Sequence, residues 1–268
     1  MDRRQLGRRR LLALGGSALL LGTAGGCSVP GTGAAGPAPA RATCAPRSTL
    51  DPHRTLAGLP LLYEPDGRGR SFSFEPAFFA RLEDWAGSLT RTLPAAPAQL
   101  STYGSWVDGG SACDSWHHAG RAVDLARVRL ADGREVSCRY DRWRSLEGDA
   151  LAASRRAYWS LAAGLHRRFA TVLTYLYDDA HANHLHVDDG RSGAGDAVFS
   201  PRSRVQVQVV QAVCSYLWDV PVALSGSWDG ATRRAVGPVL ERLGLDDDLT
   251  ADGSWAGLMD ASAALGRR

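Results

Sequence analysis

The sequence contains no lysine and no isoleucine, and Asn183 is its only asparagine. This residue usage is typical of a GC-rich genome, so the missing lysine carries little functional information. No basic stripe is interleaved with aromatic residues, which excludes the usual nucleic-acid-binding surface. No two cysteines have the Cys-x-x-Cys spacing, which argues against a cysteine-based zinc site.

The first 27 residues have the layout of an export signal. Basic residues precede an apolar run from Leu11 to about Leu21, which is too short to span a membrane and is followed by small residues. Residues 8–12, RRRLL, fit a twin-arginine signal, and an ordinary secretory signal is the alternative. Residues 24–27, AGGC, resemble a bacterial lipobox and predict lipid attachment at Cys27; the alternative is a small-residue cleavage site. We therefore expect an exported protein at the outer face of the cytoplasmic membrane or in the cell wall.

The segment that follows predicts a linker and then a disulfide-containing domain. Residues 28–43 are dominated by Gly, Pro and Ala and contain no large apolar side chain, as in a tether. An even number of cysteines remains, which in an exported protein predicts disulfides. Three pairings are possible, and we favour Cys113–Cys138 with Cys44–Cys214.

The pattern of apolar residues predicts an α+β fold. A small, mainly antiparallel sheet with flanking helices is expected over residues 44–200, and a small three-helix bundle over residues 201–268. Asp132-Gly133 predicts the turn of a hairpin. His166 lies beside two arginines in a predicted helix and is expected at the surface. The other predicted elements are helices at 74–94 and 147–170, and strands at 98–106, 122–130, 171–177 and 184–188.

Five of the seven histidines lie in two short segments, SWHHAGRAVD at 115–124 and HANHLHVD at 181–188. Residues two apart on a strand face the same side, so His184 and His186 should project together. Two histidines and one carboxylate, with water in the fourth position, form the ligand set of zinc hydrolases. The segments therefore predict a zinc site whose ligands are His117, Asp124 and one of the final histidine pair.

These two segments resemble zinc peptidases. The first is similar to the signature of the D-Ala-D-Ala carboxypeptidase type, Ser115-x-His117-x-x-Gly120-x-Ala122-x-Asp124. The second is similar to the histidine run of penicillin-insensitive murein endopeptidases, His181-x-x-His184-x-His186. Residues 130–143 and the helix after them resemble the bacterial extensin-like C-terminal domain family, and the whole resemblance covers about residues 45–195.

The resemblance implies a hedgehog/D-Ala-D-Ala peptidase-like fold that binds Zn²⁺ and cleaves peptide bonds in peptidoglycan stems or cross-links. It implies His117, Asp124 and His186 as zinc ligands, His184 as general base and His181 as an assisting residue. Many carboxypeptidase-type members carry a glutamate base where His181 stands, and in that pattern His184 would be the ligand. The rival interpretation is a non-catalytic wall-binding protein whose structural metal takes His118 or His181 as a fourth ligand.

The C-terminal residues resemble a small three-helix peptidoglycan-binding module over about residues 203–260. The similarity rests on a degenerate motif, Gly226-x-Trp228-Asp229-x-x-Thr232, with Leu243-Gly244-Leu245 and Trp255-x-x-Leu258 after it. The alternative is a helical extension that packs on the preceding domain. We expect a monomer whose partners are peptidoglycan and, through Cys27, the membrane.

Overall fold

A computed structural model of the protein describes residues 42–193 and 195–267. The predicted export signal, the lipid-attachment residue Cys27 and nearly all of the predicted linker lie outside these residues. Across the described ranges, no helix has both the length and the apolar character needed to cross a membrane.

Within the described residues, ten strands form an eight-stranded sheet and a separate two-stranded sheet. In chain order they are β1 (Asp51–His53), β2 (Thr55–Leu56), β3 (Leu59–Tyr63), β4 (Arg68–Gly69), β5 (Phe72–Phe74), β6 (Pro97–Gly104), β7 (Ala122–Leu130), β8 (Glu135–Ser137), β9 (Thr171–Leu173) and β10 (Leu185–Asp188). The large sheet has the order β2-β3-β6-β7-β10-β9, with β4 beside β3 and β8 beside β7, and β1 pairs with β5. Only the β3–β6 pairing is parallel among the described strands.

Six α-helices flank the sheets in the described part of the chain: α1 (Pro76–Thr92), α2 (Tyr140–Trp143), α3 (Gly148–His166), α4 (Arg204–Leu217), α5 (Gly230–Leu243) and α6 (Ser254–Ala264). The α1 helix begins where the Glu75 carboxylate accepts a hydrogen bond from the Phe78 amide at 2.8 Å, with Pro76 at the first helical position. Its buried face includes Leu82 and Trp85 and confirms the helix expected over 74–94. The structure confirms the α+β class; its likeness to a particular peptidase fold stays a prediction.

The C-terminal helices share one apolar core with the sheet. Both α4 and α6 contact α3, whose second half is fully buried. Side chains of these helices, such as Val210 and Met259, join the same buried cluster as Trp85 and Leu165. This is the packing expected of a helical extension, and the proposed boundary at residue 200 stays a prediction.

His166, which we expected at the surface, is fully buried instead. The α6 helix covers the end of α3, where the indole of Trp255 donates to the His166 carbonyl at 3.1 Å. Local amphipathicity could not reveal this because the covering helix lies almost ninety residues away in sequence.

The disulfide joins Cys44 to Cys113, which corrects the favoured pairing of Cys113 with Cys138 and of Cys44 with Cys214. Cys138 and Cys214 are free thiols with no exposed surface, on parts of the chain that face the core. Cys113 instead lies in a loop beside the N-terminal segment, where Trp106 donates to the Ala45 carbonyl at 3.0 Å. A disulfide persists in an oxidising compartment, as expected of an extracellular protein.

Candidate metal centre

The two histidine segments meet at the pairing of β7 with β10. Asp124 and His186 are direct cross-strand neighbours, and the His186 Nδ1 lies 2.9 Å from the Asp124 Oδ1. The His117 Nε2 lies 3.2 Å from the Asp124 Oδ1 and 3.2 Å from the His186 Nδ1. Among the described residues these three form the one group of possible metal ligands whose donor atoms all lie within 4.8 Å of one another, and we call it the metal triangle.

A short 3₁₀ turn, Trp116–Ala119, brings His117 to the strands. Ser115 caps this turn, since its hydroxyl accepts a hydrogen bond from the His117 amide at 3.3 Å. Gly120 ends the turn in the left-handed conformation at φ 67°, and a Cβ there would lie 2.7 Å from a Leu50 methyl carbon. Two residues of the sequence motif, Ser115 and Gly120, therefore act by positioning His117.

Each imidazole has one nitrogen that faces the other two groups of the triangle (the inner atom) and one that faces away (the outer atom). The hydrogen-bond partners of the outer atoms determine which nitrogen of each ring carries a proton. The His117 Nδ1 faces the Ser105 carbonyl, which can only accept, so this nitrogen carries the proton. The His186 Nε2 lies 3.2 Å from an oxygen of Asp188, a buried carboxylate, and donates to it. When both rings are neutral, the inner atoms, His117 Nε2 and His186 Nδ1, present lone pairs to each other and to the Asp124 carboxylate. Three such electron pairs repel unless a proton or a metal cation lies between them.

The spacing of these atoms fits a zinc ion. Zinc bonds of about 2.0–2.2 Å in a tetrahedral arrangement give ligand-to-ligand separations of about 3.3 Å. The observed separations are 2.9, 3.2 and 3.2 Å. A cavity of about 390 Å³ opens beside this triangle, and its lining includes Trp116, Leu173, His181 and His184. Three protein ligands with an open side form the arrangement of catalytic rather than structural zinc sites.

The electrostatics of the cluster favour positive charge. Burial raises the pKa of Asp124, but hydrogen bonds with His117 and His186 outweigh it and hold that pKa well below its usual range. Burial lowers the pKa of His186, but hydrogen bonds with Asp124 and Asp188 outweigh it and raise that pKa to about 9. A proton and a divalent ion therefore compete for the same imidazole nitrogen.

His184 faces the same cavity from the residue just before β10. Its Nε2 lies 3.4 Å from the Asp124 Oδ1, and its Nδ1 lies 2.6 Å from the side-chain oxygen of Asn183. Burial lowers the pKa of His184 to about 4, so the imidazole is neutral at physiological pH. Sequence reasoning gave Asn183 no role, although its being the only asparagine was a signal.

His181 lies at the rim, with its ring centroid 5.1 Å from that of His184. The Asp178 carboxylate accepts from the His181 Nδ1 at 2.6 Å and from the His181 amide at 3.2 Å. Sequence reasoning missed Asp178; the signal was a carboxylate at the capping position of the turn that carries the histidine. His118 lies apart, with its Nδ1 3.5 Å from Asp114.

Residues 105–197 match the family model described as extensin-like protein C-terminus. This match supports the resemblance to the extensin-like C-terminal family. The matched segment contains both histidine segments and every residue of the metal triangle, and it ends before α4. No curated protein and no solved structure gives a significant match to the chain.

Proposed function

We propose that the protein is an exported, zinc-dependent peptidase that hydrolyses peptide bonds in the stems or cross-links of peptidoglycan. The observation that carries this proposal is the convergence of His117, Asp124 and His186 at one side of an open cavity, with one possible ligand atom of each within 4.8 Å of the others. Two further imidazoles, those of His181 and His184, line the same cavity and are available for proton transfer.

Zn²⁺ held by His117, Asp124 and His186 would lower the pKa of a water to about 7 and polarise the scissile carbonyl. His184 accepts the proton of the attacking water at Nε2, since its Nδ1–H is held by Asn183. The same nitrogen then donates that proton to the leaving amine. His181, oriented by Asp178, stabilises the charge that develops at the rim of the cavity.

Location and attachment complete the proposal. Lipid attachment at Cys27 would hold the enzyme at the outer face of the membrane, and the linker would let it reach the wall. We further propose a D-Ala-D-Ala peptidase-like fold for the matched segment and contact of α4–α6 with peptidoglycan. The disulfide fits this compartment.

The rival, a purely structural metal site, needs a fourth protein ligand. His118 and His181 were the residues available for it, and neither contributes an atom to the described donor group. This supports an open, catalytic site over a closed one.

The test is mass spectrometry of muropeptides after incubation with the zinc-loaded wild type, with a His184→Ala variant and with a His117→Ala variant. We expect new fragments from the wild type, strongly reduced cleavage with retained zinc for His184→Ala, and loss of both for His117→Ala. Zinc bound without cleavage over a wide pH range would favour the structural rival. Equal products from the wild type and His184→Ala would remove the base assignment.

A further inference from the structure

A second cavity of about 280 Å³ adjoins the cavity at the metal centre. The two cavities share three lining residues, Trp116, Leu173 and Asp188. The second cavity extends away from the metal triangle to the beginning of α4, where Ser203 and Arg204 line it. A substrate whose reacting bond lies at the triangle would pass these shared residues to reach the second cavity, and we call the two adjoining cavities the groove.

The indole of Trp116 forms a fixed wall of the groove. The guanidinium of Arg121 lies 4.6 Å from the ring centroid on Trp116, and Asp189 holds that guanidinium at 2.8 Å. The Gly190 backbone packs against the same indole so closely that a Cβ there would lie 2.1 Å from a Trp116 ring atom. A rigid aromatic wall binds a ligand with little loss of conformational entropy.

The far end of the groove is electropositive. The 14-residue helix α4 begins there, and no side chain caps its N-terminus. Ser203 lines the cavity, and its buried hydroxyl has no hydrogen-bond partner among the described residues. Arg191 and Arg204 add two guanidinium groups. The one carboxylate in the lining, Asp188, is already engaged by His186 and by the Gly190 amide.

The segment between β9 and β10 holds Arg204, the first residue of α4, in place. Its guanidinium donates to the Leu176 carbonyl at 3.3 Å and lies 5.7 Å from the ring centroid of Tyr177. Gly226, from the turn before α5, leaves room for the side chain, since a Cβ at this position would lie 2.7 Å from the Arg204 Cγ. The other N–H groups of Arg204 have no hydrogen-bond partner within the described residues and can bind an anion in the groove.

We infer that this second cavity is a subsite for a free carboxylate of the substrate, bound by Ser203, Arg204, Arg191 and the first amides of α4. The inference rests on the proposed function, since it takes the stem peptide of peptidoglycan as the substrate. Stem peptides carry carboxylates that are either free or amidated, and the subsite would distinguish the two forms. A guanidinium pairs with a carboxylate through two parallel hydrogen bonds, whereas an amide offers one acceptor and no charge. The C-terminal helices would thereby select substrates at the peptidase site.

The test measures binding without turnover. A stem peptide with free carboxylates and its amidated counterpart are titrated by calorimetry into zinc-loaded His184→Ala protein. We expect the free acid to bind about tenfold more tightly or better, because hydrogen bonds to charged groups are strong. Adding Arg204→Gln should abolish this preference, and Arg204→Lys should restore part of it. Arg202→Gln removes the same charge from an exposed residue outside the groove and should preserve the preference.

A second variant tests the role of Arg204 without replacing it, in case Arg204→Gln does not fold. Gly226→Ala places a methyl group against the side chain of Arg204 and should reduce the preference while the guanidinium remains in the chain. Equal binding of the two peptides, or no binding of either, would overturn the subsite. So would an unchanged preference in Arg204→Gln. If the preference holds but wild-type protein cleaves nothing, the peptidase proposal fails and the subsite stands. If wild-type protein cleaves peptidoglycan but shows no preference between the two peptides, the peptidase proposal stands and the subsite fails.

Discussion

His166 should make the stability of the protein sensitive to acid. Its imidazole has no exposed surface and packs against Trp255, with ring centroids 6.1 Å apart. Neither ring nitrogen has a hydrogen-bond partner among the described residues. Burial lowers the pKa of His166 from 6.5 to about 3, because the charged ring cannot be solvated there.

The direction of the effect follows from proton linkage. Between about pH 6.5 and about pH 3 the unfolded chain binds a proton at His166 that the folded protein does not. The contribution to stability is therefore complete above this window and is lost progressively as the pH falls through it. The two pKa values give a loss of about 3 kcal/mol between pH 7 and pH 4. This is a large share of the roughly 5–15 kcal/mol by which domains are stable.

The assay is denaturant unfolding of the wild type and of a His166→Leu variant at pH 7 and at pH 4. The substitution removes the titrating group and keeps an apolar side chain against Trp255. We expect the free energy of unfolding of the wild type to fall by about 3 kcal/mol more than that of the variant. Equal losses in the two proteins would refute the reasoning, because they would mean that the folded protein admits a proton at His166.

Three further predictions concern the metal centre and the disulfide. Asp188→Asn should weaken zinc binding about 10- to 100-fold, because one amide oxygen cannot accept from both donors now held by the carboxylate. Zinc affinity is measured by competition with a chelator. Asp178→Asn is the control and should leave that affinity unchanged, whereas equal affinities for the wild type, Asp188→Asn and Asp178→Asn would contradict the role of Asp188. Gly120→Ala, at φ 67° and with no room for a methyl group, should lower the unfolding temperature and weaken zinc binding together; wild-type values would contradict the close packing. Replacing Cys44 and Cys113 by serine should lower the free energy of unfolding by about 2–4 kcal/mol, whereas unchanged stability under oxidising conditions would argue against the bond.

The features that the sequence alone determined are those governed by short-range patterns. The apolar spacing of residues 74–94 predicted α1, and the Asp132-Gly133 turn predicted the hairpin of β7 with β8. The two histidine segments favoured a metal site formed by His117, Asp124 and one of His184 and His186, and the resemblance favoured His186. The structure brings His117, Asp124 and His186 together, and metal binding itself stays a prediction.

Only the tertiary structure decided how distant segments meet. The pairing of β7 with β10 places Asp124 opposite His186, and the return of the N-terminal segment to the loop around Cys113 chooses the disulfide. The packing of α6 buries His166, and the position of α4 brings Arg204 to the second cavity, which adjoins the one at the candidate metal centre. The strand pairing, the disulfide and the burial of His166 each join residues more than fifty positions apart in the chain. The position of Arg204 depends on how α4 packs against the rest of the core. Local periodicity cannot specify them, because they follow from how the whole core is filled.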